Sequence, residues 1–148
     1  MSELPLWMKV LAFLLLVPLG WVLYFSGSAL FNVWAVPMMQ GLSPEQAHQG
    51  IVPVLVGISF LAASIGAFFS VFLYELIGGG RPLLAATLFA LPLVGAQLYA
   101  LWGKRLTTDM VAVYLIEMVM IWFAYLLLSY LGRAVRRRFF SSREAAVS

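Results

Sequence analysis

Glu117, Tyr114 and Gln97 are the residues best placed to do chemistry in this chain, because each puts a polar group inside a strongly apolar stretch. Glu117 lies within VAVYLIEMVMIWFAYLLLSY, about 6 Å from the centre of that window at about 1.5 Å of helical rise per residue. An acidic side chain at mid-bilayer costs about 2.5–3.5 kcal/mol on insertion scales, so Glu117 must face a bundle interior or water, or carry its proton. On a helix it shares a face with Val113, Tyr114, Met120, Ile121 and Ala124, and the Tyr114 hydroxyl one turn earlier is a candidate partner. Two readings stand side by side. Glu117 is a carboxylate that couples to a proton or cation, or it is a neutral acid that hydrogen-bonds to Gln97 or to a partner subunit. An unpaired amide in lipid costs several kcal/mol, so Gln97 should also point inward, as polar glue between helices.

Other residues fall into three groups. Ser59, Ala63 and Ala67 recur every four residues, with Ala62, Gly66 and Ser70 beside them, and form a flat stripe two rows wide. Such stripes let helix backbones approach closely, within one bundle or against another protein. Glu75, six residues before Arg81, reads as a snorkelling surface charge or a partner of Arg81, and the lone His48 reads as a loop residue beside Glu45. The terminal stretch from residue 132 to 148 carries Arg133, Arg136, Arg137 and Arg138 with Phe139 and Phe140. It reads as a basic cytoplasmic tail lying on an anionic leaflet, at about 1 kcal/mol per basic residue.

Several chemistries are excluded. The chain has no cysteine, so disulfides, thiol redox chemistry and cysteine-held metals are out, and one histidine offers little for metal or haem. There is no phosphate-binding loop, zinc-helix motif, dinucleotide fingerprint or serine nucleophile elbow. No metal, cofactor or nucleic-acid partner is expected, nor is an enzyme, since Glu117 has no acid, histidine or metal partner at matching depth.

The elements that must position these residues are membrane helices. With 64% hydrophobic and 10% charged residues and a mean hydropathy of +0.99, the chain is not built for water. A hydrocarbon core about 30 Å thick takes about 20 apolar residues per crossing, and four windows between charges meet that length. The run after Lys9 holds no charge for 35 residues, about 52 Å as one helix and too long for a single crossing. The first helix is therefore expected over residues 9–31, kinked at Pro18, with 32–42 an interfacial segment punctuated by Trp34, Pro37 and Gly41. Ser43-Pro44-Glu45-Gln46 has the order of a capped helix start, so the second helix is expected over 44–77, ended by Gly78-Gly79-Gly80. The third is expected over 82–102 and the fourth over 110–131. The fold class is thus all-α: a polytopic four-helix membrane bundle forming one domain.

Seven of the nine lysines and arginines fall on one side of that topology, and only Lys104 and Arg105 on the other. The bias predicts both termini in the cytoplasm, and short loops suggest a bacterial inner membrane. A cleaved signal peptide is the competing reading of the first helix, with Lys9 as its charged region and Ser26-Gly27-Ser28 near the cleavage site. In size and crossing number the chain resembles the small multidrug resistance exporters. That family's essential glutamate lies in its first helix, whereas Glu117 lies in the fourth here, so the resemblance stops at length. Two functions follow as expectations. One is an interaction protein, an accessory subunit of a membrane complex or an immunity-type inhibitor of a membrane-inserting toxin. The other is a small homo-oligomeric transporter or channel using Glu117. Membrane lipids and another membrane protein, or a second copy, are the expected partners.

Overall fold

A computed structural model describes residues 5–39, 44–78, 81–102 and 108–144, all but a few of them helical. Helix α1 is Leu6–Met39. Helix α2 runs as Pro44–Ala67, a π-helical turn Phe68–Phe72 and a last segment Leu73–Ile77, with helical dihedrals through both joins. Helix α3 is Pro82–Leu101 and α4 is Thr108–Glu144. Each contains a stretch long and apolar enough to cross a membrane: 6–31, 53–77, 82–99 and 111–138. The chain is a small integral membrane protein of the all-α class.

Two helices overrun their expected ends. Helix α1 does not stop at Phe31 but continues through Asn32, Trp34 and Pro37 to Met39, so 32–39 is not a separate interfacial segment. Pro18 and Pro37 are both absorbed within it, each removing one backbone donor, and no glycine lies between Phe31 and Gly41 to end it. Helix α4 does not stop at Leu131. A single glycine at 132 costs about 1 kcal/mol relative to alanine, and the arginines that follow are good helix formers which also oppose the dipole of a helix C-terminus. Charges therefore marked the edges of the apolar windows and not the ends of the helices. The starts at Pro44 and Pro82 follow the preference of proline for the first turn, and Gly78 closes α2 with φ +121°, a conformation that favours glycine.

Helix α2 is the hub. It packs against α1 on one side and α4 on the other, α3 packs on α4, and α3 meets α1 mainly through large side chains. Phe13 of α1 sits edge-on to Phe89 of α3 at 5.0 Å between ring centroids, and Tyr74 of α2 lies 5.3 Å from Phe89. The described lysines and arginines, Lys9, Arg81, Arg133, Arg136, Arg137 and Arg138, are placed by this up-and-down packing at one end of the bundle, here termed the basic end.

The small-residue stripe forms the seams of α2. Ala62, Ala63, Ala67 and Ser70 are fully buried, and Ser59 and Gly66 nearly so. A Cβ on Gly66 would fall 2.6 Å from the Gly20 carbonyl oxygen, and one on Gly20 would fall 2.7 Å from Ser70 Oγ, so α1 and α2 touch backbone to backbone there. Gly66 faces Tyr125 of α4 as well, 3.2 Å from the same point. Both rows of the stripe are thus occupied inside this bundle.

The π turn sets the phase of α2. At about 100° per residue, Ser59 and Glu75 would lie about 160° apart on an uninterrupted α-helix. A π turn absorbs one extra residue and reduces the offset to about 60°. Glu75, and not Tyr74, thereby continues the buried row of Ser59, Gly66 and Ser70.

Candidate functional site

Glu117 is buried at 8% exposure, and Ser59 Oγ of α2 donates to its Oε1 at 3.0 Å. On α1, Tyr24 is buried and its hydroxyl lies beside Ser59, within electrostatic reach of Glu117. Gln97 Nε2 of α3 donates to the same Tyr24 hydroxyl at 3.4 Å. Each helix contributes one member to this layer: Tyr24, Ser59, Gln97 and Glu117. A polar layer of this kind replaces water for groups that lipid cannot satisfy.

Two expected pairings are corrected. Among the described side-chain hydrogen bonds, Glu117 is joined to Ser59 and not to Gln97 or Tyr114. Gln97 lies near the end of α3, where the long Tyr24 side chain of the parallel helix α1 meets it first. Tyr114 is half-buried. Tyr24 was missed because a tyrosine inside an apolar run reads as one more aromatic.

A second polar cluster lies at the basic end. Glu75 is not a surface charge: it is 1% exposed, and Arg133 and Arg136 of α4 act on its carboxylate while Arg81 is exposed. The extension of α4 accounts for this. A Cβ on Gly132 would fall 2.8 Å from the Phe72 carbonyl oxygen and 3.2 Å from Glu75 Cβ, so α4 closes over the end of α2. The Arg136 guanidinium then packs over Gly78, 3.3 Å from where a Cβ there would stand, opposing the dipole of α2. Arg133 and Arg136 thus belong to a helix turned partly toward α2, whereas Arg137 and Arg138 are exposed. Residues 132–144 are a continuation of α4 and not a tail laid along a surface. Ser129 Oγ, buried beside Glu75, donates to the Pro82 carbonyl at 3.0 Å and ties α4 to the first turn of α3.

Between the layers, Ser70 Oγ donates to the Gly66 carbonyl at 2.6 Å, and the fully buried Tyr125 hydroxyl lies beside Ser70 without a hydrogen bond of its own. Glu75 Oε1 and Trp21 Nε1 are likewise buried without partners. No group of three or more His, Cys, Asp or Glu that could hold a metal occurs among the described residues. Gly79, Gly80, Lys104 and Arg105 lie outside the described residues, as do the side chains of Glu45, His48, Phe139, Phe140 and Arg143. No protein-family model, curated protein or solved structure matches the chain.

Proposed function

We propose that this protein acts through contacts with another membrane protein, as an accessory subunit of a membrane complex or an immunity-type inhibitor of a membrane-inserting toxin, and that it is not itself an enzyme. The observation that carries the reading is the uneven burial of the spans. In α1 only 6% of the apolar window is buried inside the bundle, against 39%, 33% and 28% in the other three. Helix α1 is held along the narrow seam of Gly20, Tyr24 and Gly27, and leaves Leu11, Leu15, Val22 and Phe25 outside. A partner helix fits that face, while the small-residue stripe from Ser59 to Ser70 is consumed within the bundle. The charge bias supports placement in the inner membrane with both termini cytoplasmic, and the exposed Arg137 and Arg138 suit contact with anionic lipid.

The test is purification of the tagged protein from its host in a gentle detergent, followed by mass spectrometry. A stoichiometric partner is expected that survives Glu117→Gln and is lost on Leu15→Ala combined with Val22→Ala. Elution as a pure homo-oligomer argues for the second reading, a proton- or cation-coupled transporter or channel. That reading is favoured by the buried Glu117 in a layer built from all four helices. In it, Glu117→Gln abolishes transport.

A further inference from the structure

The arginines of the basic end are not used alike. Arg133 and Arg136 act on the buried Glu75, whereas Arg81 is exposed and, among the described residues, is paired with no carboxylate. It directly precedes the apolar span 82–99, at the level where hydrocarbon gives way to headgroups. Beside it a cavity of about 70 Å³ opens where α1, α2 and α3 meet, lined by Phe13, Tyr74, Arg81, Leu84, Ala85 and Leu88. Arg81 carries the only charge in that lining. The inner wall is firm: Phe13 sits edge-on to Tyr74 and to Phe89, with ring centroids 6.3 and 5.0 Å apart, and Ala85 is buried with its N–H donating to the Arg81 carbonyl at 2.9 Å. The outer wall faces the bilayer, since Leu84 and Leu88 are 55% and 42% exposed. Lys9 lies one turn nearer the basic end than Phe13, on the same face of α1, and adds positive charge at that end.

Charge and apolar surface are therefore stacked by depth. From Arg81 to Leu88 is about 10 Å along α3 into the hydrocarbon. A free anion would use the guanidinium and leave the apolar walls idle, and a neutral hydrocarbon chain would do the reverse. A phosphate that carries acyl chains meets both, and the planar fork of an arginine suits phosphate oxygens. We propose that this cavity binds one anionic phospholipid of the basic-end leaflet, its phosphate on Arg81 and the upper part of a chain along Leu84 and Leu88. Lipid held there braces α1 against α3, which meet mainly through large side chains. Phe13 lies about 160° around α1 from Leu11 and Leu15, so the bound lipid leaves the face offered to a partner helix open and does not depend on that reading.

The full chain is held in a non-ionic detergent, and native mass spectrometry counts the lipids retained as dioleoylphosphatidylglycerol or dioleoylphosphatidylcholine is titrated in. Wild type is expected to hold its first phosphatidylglycerol about tenfold more tightly than phosphatidylcholine. Arg81→Gln is expected to abolish that preference. Leu84→Trp fills the mouth of the cavity, keeps the charge and is expected to weaken the first phosphatidylglycerol about tenfold. Arg138→Gln removes the same charge from the same end, away from the cavity, and is expected to keep the preference. Inorganic phosphate at about a hundredfold excess over lipid is expected not to displace it. In detergent unfolding, phosphatidylglycerol should raise the transition of wild type but not of Arg81→Gln, and without lipid the two should unfold alike because Arg81 is exposed. Equal retention of the two lipids by wild type, or equal losses in Arg81→Gln and Arg138→Gln, overturns the site in favour of diffuse surface charge. Displacement by inorganic phosphate overturns it in favour of a free-anion site.

Discussion

The buried acids Glu117 and Glu75 lie at different depths of one bundle and are held in different ways. Glu117 is met by a hydroxyl, inside a layer to which every helix contributes one side chain. Glu75 sits where two helices nearly touch, roofed by glycine, with two arginines of α4 acting on it. The contrast separates two solutions to the same cost. A carboxyl far from water is accommodated by hydrogen-bond donors drawn from many elements, and one near the membrane edge by cations that reach back from a helix running on into the headgroups. The Glu117 arrangement depends on four helices keeping a common depth, whereas the Glu75 arrangement depends on one close crossing.

The sharpest way to break the comparison is at that crossing. Gly132→Leu places side-chain atoms against backbone of α2 that cannot yield, so a loss of about 3 kcal/mol is expected in detergent unfolding followed by circular dichroism. Gly95→Leu on α3, with nothing within 4 Å of its Cβ position, should leave the transition where it was. A smaller effect is expected in the Glu117 layer. Glu117→Ala leaves the Ser59 hydroxyl buried without its acceptor and should cost about 2 kcal/mol by the same measurement, while the isosteric Glu117→Gln recovers most of that.

Ser59→Ala removes one hydrogen bond and should cost about 1 kcal/mol, with a coupling energy to Glu117→Ala of similar size in a double-mutant cycle. Additivity of the two changes would show that the bond holds nothing together. Least of all, Tyr125→Phe should shift stability by under about 0.5 kcal/mol, because the hydroxyl it removes has no hydrogen bond to lose. A loss above about 1 kcal/mol would mean that the hydroxyl is bonded after all and that the middle of the seam behaves like the Glu117 layer.

How much of this was legible in the sequence differs between the two acids. The four crossings were readable because apolar windows of spanning length are unambiguous in a chain this poor in charge. Glu117 was readable as a buried acid from its depth alone. Its partner was not, because pairing depends on which helices are neighbours, and a single sequence orders helices along the chain but not around a bundle. The stripe from Ser59 to Ser70 was visible as a stripe, but not that Gly20 and Gly27 of α1 cross it. Glu75 was misread through one chain of cause. Taking Arg133 as the end of α4 removed the very segment that buries Glu75, and reading α2 as a regular helix left out the π turn that carries Glu75 inward.

That last error leads back to the π turn at Phe68–Phe72. A helix keeps angular time along its length, and any residue gained or lost shifts the hour for everything beyond it. The π turn is a place where the clock has been reset once, so the two halves of α2 keep separate time. A one-residue deletion within 68–72 would remove the residue that the π turn absorbs and leave Glu75 facing α4, whereas straightening the turn into α-helix at unchanged length would swing Glu75 away by about 100° and bring its neighbour Tyr74 into the seam, with no change in composition that hydropathy could register. Among descendants of this chain, loss of the π turn should therefore go together with loss of one residue within it, whatever becomes of the phenylalanines that form it.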